Sequence, residues 1–167
     1  MNIREEQPGD EAAIRAMVTA SFDRPDEATL IDRLRAECPG FVSVVAEDGG
    51  EIVGHVGFSP VTIGGNADHP VMGIAPLAIA PDRQRQGVGT ALVRQGLIRC
   101  RDRGVEGVIV LGSPDYWGRF GFSPAIELGL ETDFDVPPDA FQALEIKNGA
   151  LLCIEGVVHY QSAFYDT

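Results

Sequence analysis

Lysine is nearly missing from this chain: Lys147 is the only one in 167 residues. Positive charge of any kind is scarce, with 13 Lys and Arg against 25 Asp and Glu and a formal net charge of -12. A chain of that sign lacks the basic face on which general nucleic-acid binding rests, so no nucleic-acid partner is expected. The acidity suits solubility, and it is compatible with a cationic substrate such as an amine. Cysteine is sparse too. Cys38, Cys100 and Cys153 are odd in number and none forms a CxxC pair, which argues against a disulfide framework or a zinc site; no metal is expected. No apolar run approaches the roughly 20 residues that cross a bilayer, so no membrane partner is expected either. The opening "MNIREEQPGDEAAI" has no basic stretch followed by an apolar one. The expectation is a cytoplasmic protein without a secretory signal.

What is present suits one globular domain spanning 1–167: 44% hydrophobic and 23% charged residues, with no repeat and no low-complexity linker. "IREE" reads as a first strand. "PGDEAAIRAMVTASF" reads as a helix, with Ala13, Met17 and Ala20 at helical spacing, and "DEATLIDRLRAE" as a second, with Leu30, Ile31 and Leu34 on one side. "FVSVVAE" and "EIVGHVGFSPVTI" flank "DGG", a hairpin signal. "VMGIAPLAIA" is a further extended run. Residues 87–103 read as a helix and "GVIVLG" as a strand covered on both faces, so 71–112 form a strand–helix–strand crossover with parallel strands. "DYWGRF" is a short helix, "VPPDAFQAL" an extended-then-helical connection, and "LLCIEGVVHY" a last strand. The fold class is α/β (α+β): a single mixed sheet.

The scarce positive charge is unevenly placed. Residues 82–103 hold six arginines against two aspartates, a net +4 inside a chain of net -12. That segment opens "DRQRQGVGTAL". A helix N-terminus exposes unpaired N–H groups and about half a positive charge, so it attracts anions. Gly87 and Gly89 allow a phosphate close to the backbone; Arg83 and Arg85 add charge, and Gln84 and Gln86 add neutral donors. The alternative is a solvated turn that merely starts a helix. GxxxxGK[ST] is absent, and a dinucleotide GxGxxG fails because its third glycine position is Leu92.

"LAIAPDRQRQGVGTALV" resembles the acetyl-CoA-binding segment of the GNAT superfamily of acetyl-CoA-dependent N-acetyltransferases, in which Q/R-x-x-G-x-G/A opens a helix. Gln84, Gly87 and Gly89 fill that pattern. "VLGSPDYWGRFGF" is similar to the family's aromatic followed by Arg-Phe-Gly-Phe, and "DAFQALEIKNGAL" resembles one branch of small bacterial predicted N-acetyltransferases. The likeness covers nearly the whole chain.

The resemblance implies a mostly antiparallel, splayed central sheet flanked by helices. It implies pantetheine pairing with the backbone around Leu77, Ala78 and Ile79, near a bulge at 75–77. It implies pyrophosphate held by Arg83, Gln84, Arg85, Gln86, Gly87, Val88, Gly89 and Thr90. Acetyl-CoA is the co-substrate and a primary amine, on a small molecule or a protein, the acceptor. Ser113 either bonds the pantetheine amide or caps a turn. The family's usual acid, a tyrosine, is replaced by Trp117; Tyr116 beside it is either that acid or an aromatic lining. His55 is either a base for the amine or structural. His69 and His159 have no assigned role. Acceptor loops fall near 20–40 and 60–70, and a homodimer is open. The competing function is a non-catalytic acyl-CoA sensor or partner-binding subunit, which the Trp117 substitution keeps in view.

Overall fold

The computed structural model describes residues 1–166. In chain order its elements are β1 (Asn2–Glu5), α1 (Glu11–Phe22), α2 (Asp26–Glu37), β2 (Val42–Asp48), β3 (Glu51–Pro60), β4 (Thr62–Ile63), β5 (Val71–Ile79) and α3 (Val88–Asp102). Then come β6 (Gly107–Leu111), α4 (Pro114–Trp117), β7 (Ser123–Pro124), β8 (Leu130–Thr132), β9 (Phe141–Glu145) and β10 (Gly156–His159). The chain divides into two compact units, and β5 passes from one to the other after Ile74.

The first unit holds Met1–Ser59, Ala75–Arg99 and the residues from Ser162 onward, with strands adjoining in the order β1-β2-β3-β5. β1–β2 and β2–β3 are antiparallel. The expected "DGG" hairpin forms: Asp48 faces Glu51 across Gly49 and Gly50, whose φ values of 60° and 83° suit a two-residue turn with both central residues left-handed. Both faces of this sheet are covered. On one, Val45 and Ala78 meet Ile14, Met17, Val18, Ala28 and Ile31. The buried stripe of α1 is therefore Ile14, Met17 and Val18; Ala13 and Ala20, expected inside, are exposed. The larger side chains win the core, which rotates the helix from the alanine stripe. On the other face α3 lies close, because glycines stand at the contact. A Cβ on Gly54 would lie 2.8 Å from Leu92, and one on Gly96 would lie 2.3 Å from the Phe58 ring.

The second unit holds Pro60–Ile74 and Cys100–Gln161, with strands in the order β5-β6-β9-β7. β5 and β6 are parallel, as the crossover required, but pair only from Val71–Gly107 to Gly73–Ile109. β6 goes on to Leu111 paired with β9 alone, which is the splay of a mostly antiparallel sheet. A second, three-stranded sheet, β4-β10-β8, was not expected from the single-sheet reading. Two other local expectations are corrected. Phe141–Glu145, read as helical, is strand β9: Phe141, Gln142 and Ala143 are buried, and β6 takes them as its antiparallel partner. Tertiary pairing overrides a weak local preference here. In "LLCIEGVVHY" the strand begins only at Gly156, because residues 150–153 turn and Cys153 takes φ 67°.

Gly96→Ala tests the close seat of α3. Alanine gains up to ~1 kcal/mol of helix propensity over glycine. Its methyl must displace the fully buried Phe58 ring, and overpacking typically costs ~1–3 kcal/mol. The clash outweighs the propensity, so the melting temperature falls by roughly 2–6 °C in a thermal melt; a rise would refute the contact.

Candidate functional site

The loop that leaves β5 is built by short-range bonds. Ala80 N–H donates to Val53 O at 2.8 Å, and Arg83 N–H to Ala80 O at 2.8 Å. Pro81–Arg83 form one 3-10 turn. Arg85 at φ 62° and Gly87 at φ 85° then place left-handed residues in a short run, the geometry that turns successive amides toward one point. The first helical bond of α3 is Ala91 N–H to Gly87 O at 3.1 Å. The amides from Gln84 to Thr90 donate to no backbone carbonyl. A Cβ on Gly87 would meet nothing within 4 Å, so the approach is open. These seven consecutive amides lie at the start of a 15-residue helix, where the helix dipole places partial positive charge.

The side chains behave differently from the backbone. Gln84 Nε2 donates to Ile79 O at 3.3 Å and Gln86 Nε2 to Asp82 O at 3.2 Å. The two glutamines brace the loop from within and offer their main-chain amides outward. Arg83 Nη1 donates to Asp48 Oδ2 at 2.5 Å, and that guanidinium holds the Asp48 carboxyl below its usual range. Asp48, on the hairpin turn, was not legible as part of this region. Arg85 is exposed. On β5, Leu77 and Ile79 are partly exposed, while Ala78 is buried in the apolar cluster under α1 and α2.

Ser113 and Tyr116 lie in the second unit. Ser113 begins α4 and makes no side-chain cap bond; its carbonyl accepts from Trp117 N–H at 3.0 Å. Trp117, at the usual tyrosine position, is buried. Gly112 is required beneath it, since a Cβ there would lie 2.4 Å from Trp117 Nε1. Tyr116 is half-buried, edge-on to Trp117 at 5.0 Å and to Phe120 at 5.5 Å, and the Arg119 guanidinium covers its ring at 4.5 Å. Burial pushes its phenol pKa up, and Arg119 opposes that shift.

Comparison with known proteins decides the family. Residues 10–122 match the model of the acetyltransferase (GNAT) family. The chain belongs to the GNAT acetyltransferase family. It is 35% identical to the uncharacterized N-acetyltransferase YhbS of Escherichia coli (strain K12), over 98% of both chains. The crystal structure of Escherichia coli YhbS in complex with CoA superposes with a TM-score of 0.92, covering 98% of this chain and 91% of that one. A GNAT acetyltransferase from Brucella melitensis, in complex with acetyl-CoA, is 34% identical with a TM-score of 0.81, covering 98% and 97%. The GNAT fold expected from "DRQRQGVGTAL" and "YWGRFGF" is thus shown. Among the described residues no His, Cys, Asp or Glu group could hold a metal ion, and no helix is long and apolar enough to cross a membrane.

His55 is the residue whose two readings the structure separates. It is 0% exposed, and burial, helped by the Arg35 charge, lowers its pKa to about 3. It cannot store a proton near neutral pH, so it is no conventional base. The same shift makes a stability prediction. The unfolded chain protonates this imidazole below about pH 6.5 and the folded chain only near 3, so stability falls as pH drops between those values. Near pH 4.5 the loss from this group is about 2–3 kcal/mol relative to pH 7. The paired carboxylates also lose stability in acid, so the test is a difference. Urea midpoints of a His55→Gln variant at the two pH values are expected to fall less than those of the parent.

Proposed function

We propose that this chain moves the acetyl group of acetyl-CoA to a primary amine, on a small molecule or a protein, by direct attack in a ternary complex. The carrying observation is the row of carbonyl-free amides from Gln84 to Thr90 at the start of α3. A pyrophosphate fits that row: several anionic oxygens need several convergent donors, and the helix end adds about half a positive charge. The relatives crystallised with CoA and with acetyl-CoA, at 35% and 34% identity, support the same cofactor here. In this reading Gln84, Arg85, Gln86, Gly87, Val88, Gly89 and Thr90 take the phosphates through their amides. Arg83, shared with Asp48, contributes a partly offset charge. Leu77, Ala78 and Ile79 supply the strand along which pantetheine lies, and Ser113 a further polar contact.

The chemistry follows from charge development. As the amine attacks, the thioester oxygen becomes anionic, and a fixed β5 amide there lowers the barrier by about 3 kcal/mol. Holding both reactants in line removes a further large share. Tyr116 is the candidate to protonate the departing thiolate. Its raised pKa keeps the phenol protonated at neutral pH, as a donor must be. All of residues 1–167 serve as one acetyltransferase domain in this reading, and the site of action is the cytoplasm. Trp117 favours a second reading: its burial removes the usual tyrosine from the chemistry and would suit a CoA-binding sensor.

Titration calorimetry with CoA tests the cradle. Gly87→Asp is expected to weaken binding at least tenfold, through a carboxylate facing phosphates and a side chain at φ 85°. Gly87→Asn tolerates that φ and lacks the charge, so it separates the two causes. Unchanged affinity in Gly87→Asp would refute the placement. Thiol release from acetyl-CoA with spermidine, tyramine and a lysine peptide then separates enzyme from sensor. In the enzyme, Tyr116→Phe lowers kcat at least tenfold; binding without turnover on any amine supports the sensor.

A further inference from the structure

A chain of polar side chains crosses the first unit from its surface to β3. Arg15 Nη1 meets Asp32 Oδ2 at 2.6 Å, and Arg35 Nη1 meets Asp32 Oδ1 at 2.8 Å. Arg35 grips Glu6 with two bonds, Nε to Oε2 at 2.7 Å and Nη2 to Oε1 at 2.9 Å. Ser43 Oγ donates to Glu6 Oε1 at 2.9 Å and lies 2.8 Å from His55 Nε2. A hydroxyl has one hydrogen. Since Ser43 gives its own to Glu6, it accepts from His55, and the imidazole is the Nε2–H tautomer. Nδ1 is then a bare lone pair, fully buried and without a partner. An unsatisfied buried acceptor is costly, and so calls for a role.

Position suggests that role. Val53 O accepts from Ala80 N–H, and Gly57 adjoins Ala75 O, so β3 and β5 run antiparallel with His55 beside Ala78. His55 is therefore on the strand next to the one proposed to carry the thioester, and no carboxylate stands on β5 itself. At its other end the chain reaches an open cavity of about 240 Å³ lined by Glu5, Glu6, Arg35, Cys38, Phe41 and Ser43 among others.

Resting on the acetyl-transfer reading, we propose that His55, Ser43 and Glu6 form a relay that removes the acceptor ammonium's proton to solvent. A water admitted to the buried Nδ1 when the acceptor binds passes the ammonium proton to it. The Nε2 proton moves to Ser43 Oγ as Ser43's own proton moves to Glu6 Oε1, and Glu6 releases it into the cavity. One N–H bond of the ammonium breaks, one O–H bond forms in the cavity water, and the amine lone pair is freed for attack. The imidazole changes tautomer without becoming a cation. That matters because burial and Arg35 keep the ring neutral to about pH 3. The charged groups along the path are Glu5 and Glu6 at the cavity, Arg35 and Asp32 on α2, and Arg15 on α1; the cluster around Val45 and Ala78 is apolar. Ser43 and Glu6 act through His55 and are positioning residues, not catalytic ones.

Two measurements test the relay. Nitrogen-15 imidazole NMR of the free protein should show His55 as the Nε2–H tautomer with no titration between pH 5 and 8; the Nδ1–H tautomer, or a titration there, would overturn it. With spermidine, tyramine and the lysine peptide as acceptors, Ser43→Ala and Glu6→Gln should lower kcat about 10²-fold with unchanged CoA affinity. Ser43→Thr, which keeps the hydroxyl, should restore kcat to within a few-fold and controls for misfolding. Variants as fast as the parent at every pH overturn the relay while leaving acetyl transfer intact. A parent that binds CoA but acetylates no amine overturns both.

Discussion

The free amides at the start of α3 are what the rest of the first unit is arranged around. A helix leaves its first N–H groups unpaired, and most proteins satisfy them with a capping side chain. Here no Ser, Thr, Asp or Asn stands at that position. Gly87 precedes the helix, and the row is lengthened by a loop whose amides from Gln84 to Gly87 donate to no backbone carbonyl. The glutamine side chains tie the loop back to Ile79 and Asp82, so the donors are held in place while remaining open. Donors held in this way would meet the proposed phosphates without reorganising at the moment of binding.

Holding that helix end beside the end of β5 is a packing problem, solved by removing side chains. Gly54 and Gly96 let α3 approach β3 to distances that a methyl group would forbid. The opposite face is filled by α1 and α2, so β3 is buried through most of its length and His55 is sealed inside it. The electrostatics follow the same economy. A chain of net -12 places six of its 13 cations in 82–103, and Asp48 then offsets one of them, Arg83. The main chain, which no acidic surface can neutralise, supplies the remaining attraction.

Apart from β4, which the sequence ran on from β3, the order of elements through α4 was legible in the sequence, because each carries a local signature: the hairpin glycines, the 3.6-residue periodicity of α3, and the continuous apolar run of β6. The glycine turn that opens α3 was legible for the same reason, being a local feature. Where side-chain size decided, the sequence misled. The alanines of α1 have helical spacing, yet Ile14 and Val18 took the core. Beyond residue 130 the local signals are weak, and β9 is a strand because β6 offers it an edge.

Sequence alone settled what depends on neighbours along the chain: the family's motifs, the glycine turn that opens α3, the parallel crossover, and the departure at Trp117. Only the tertiary structure decided what depends on strands meeting across the sheet. It buried His55 and thereby stripped it of ordinary basicity, joined Ser43 to Glu6 across two strands, and paired Arg83 with Asp48 from 35 positions away. Charge, burial and hydrogen bonding act through space, and a residue's protonation is set by surroundings that its sequence neighbours do not contain.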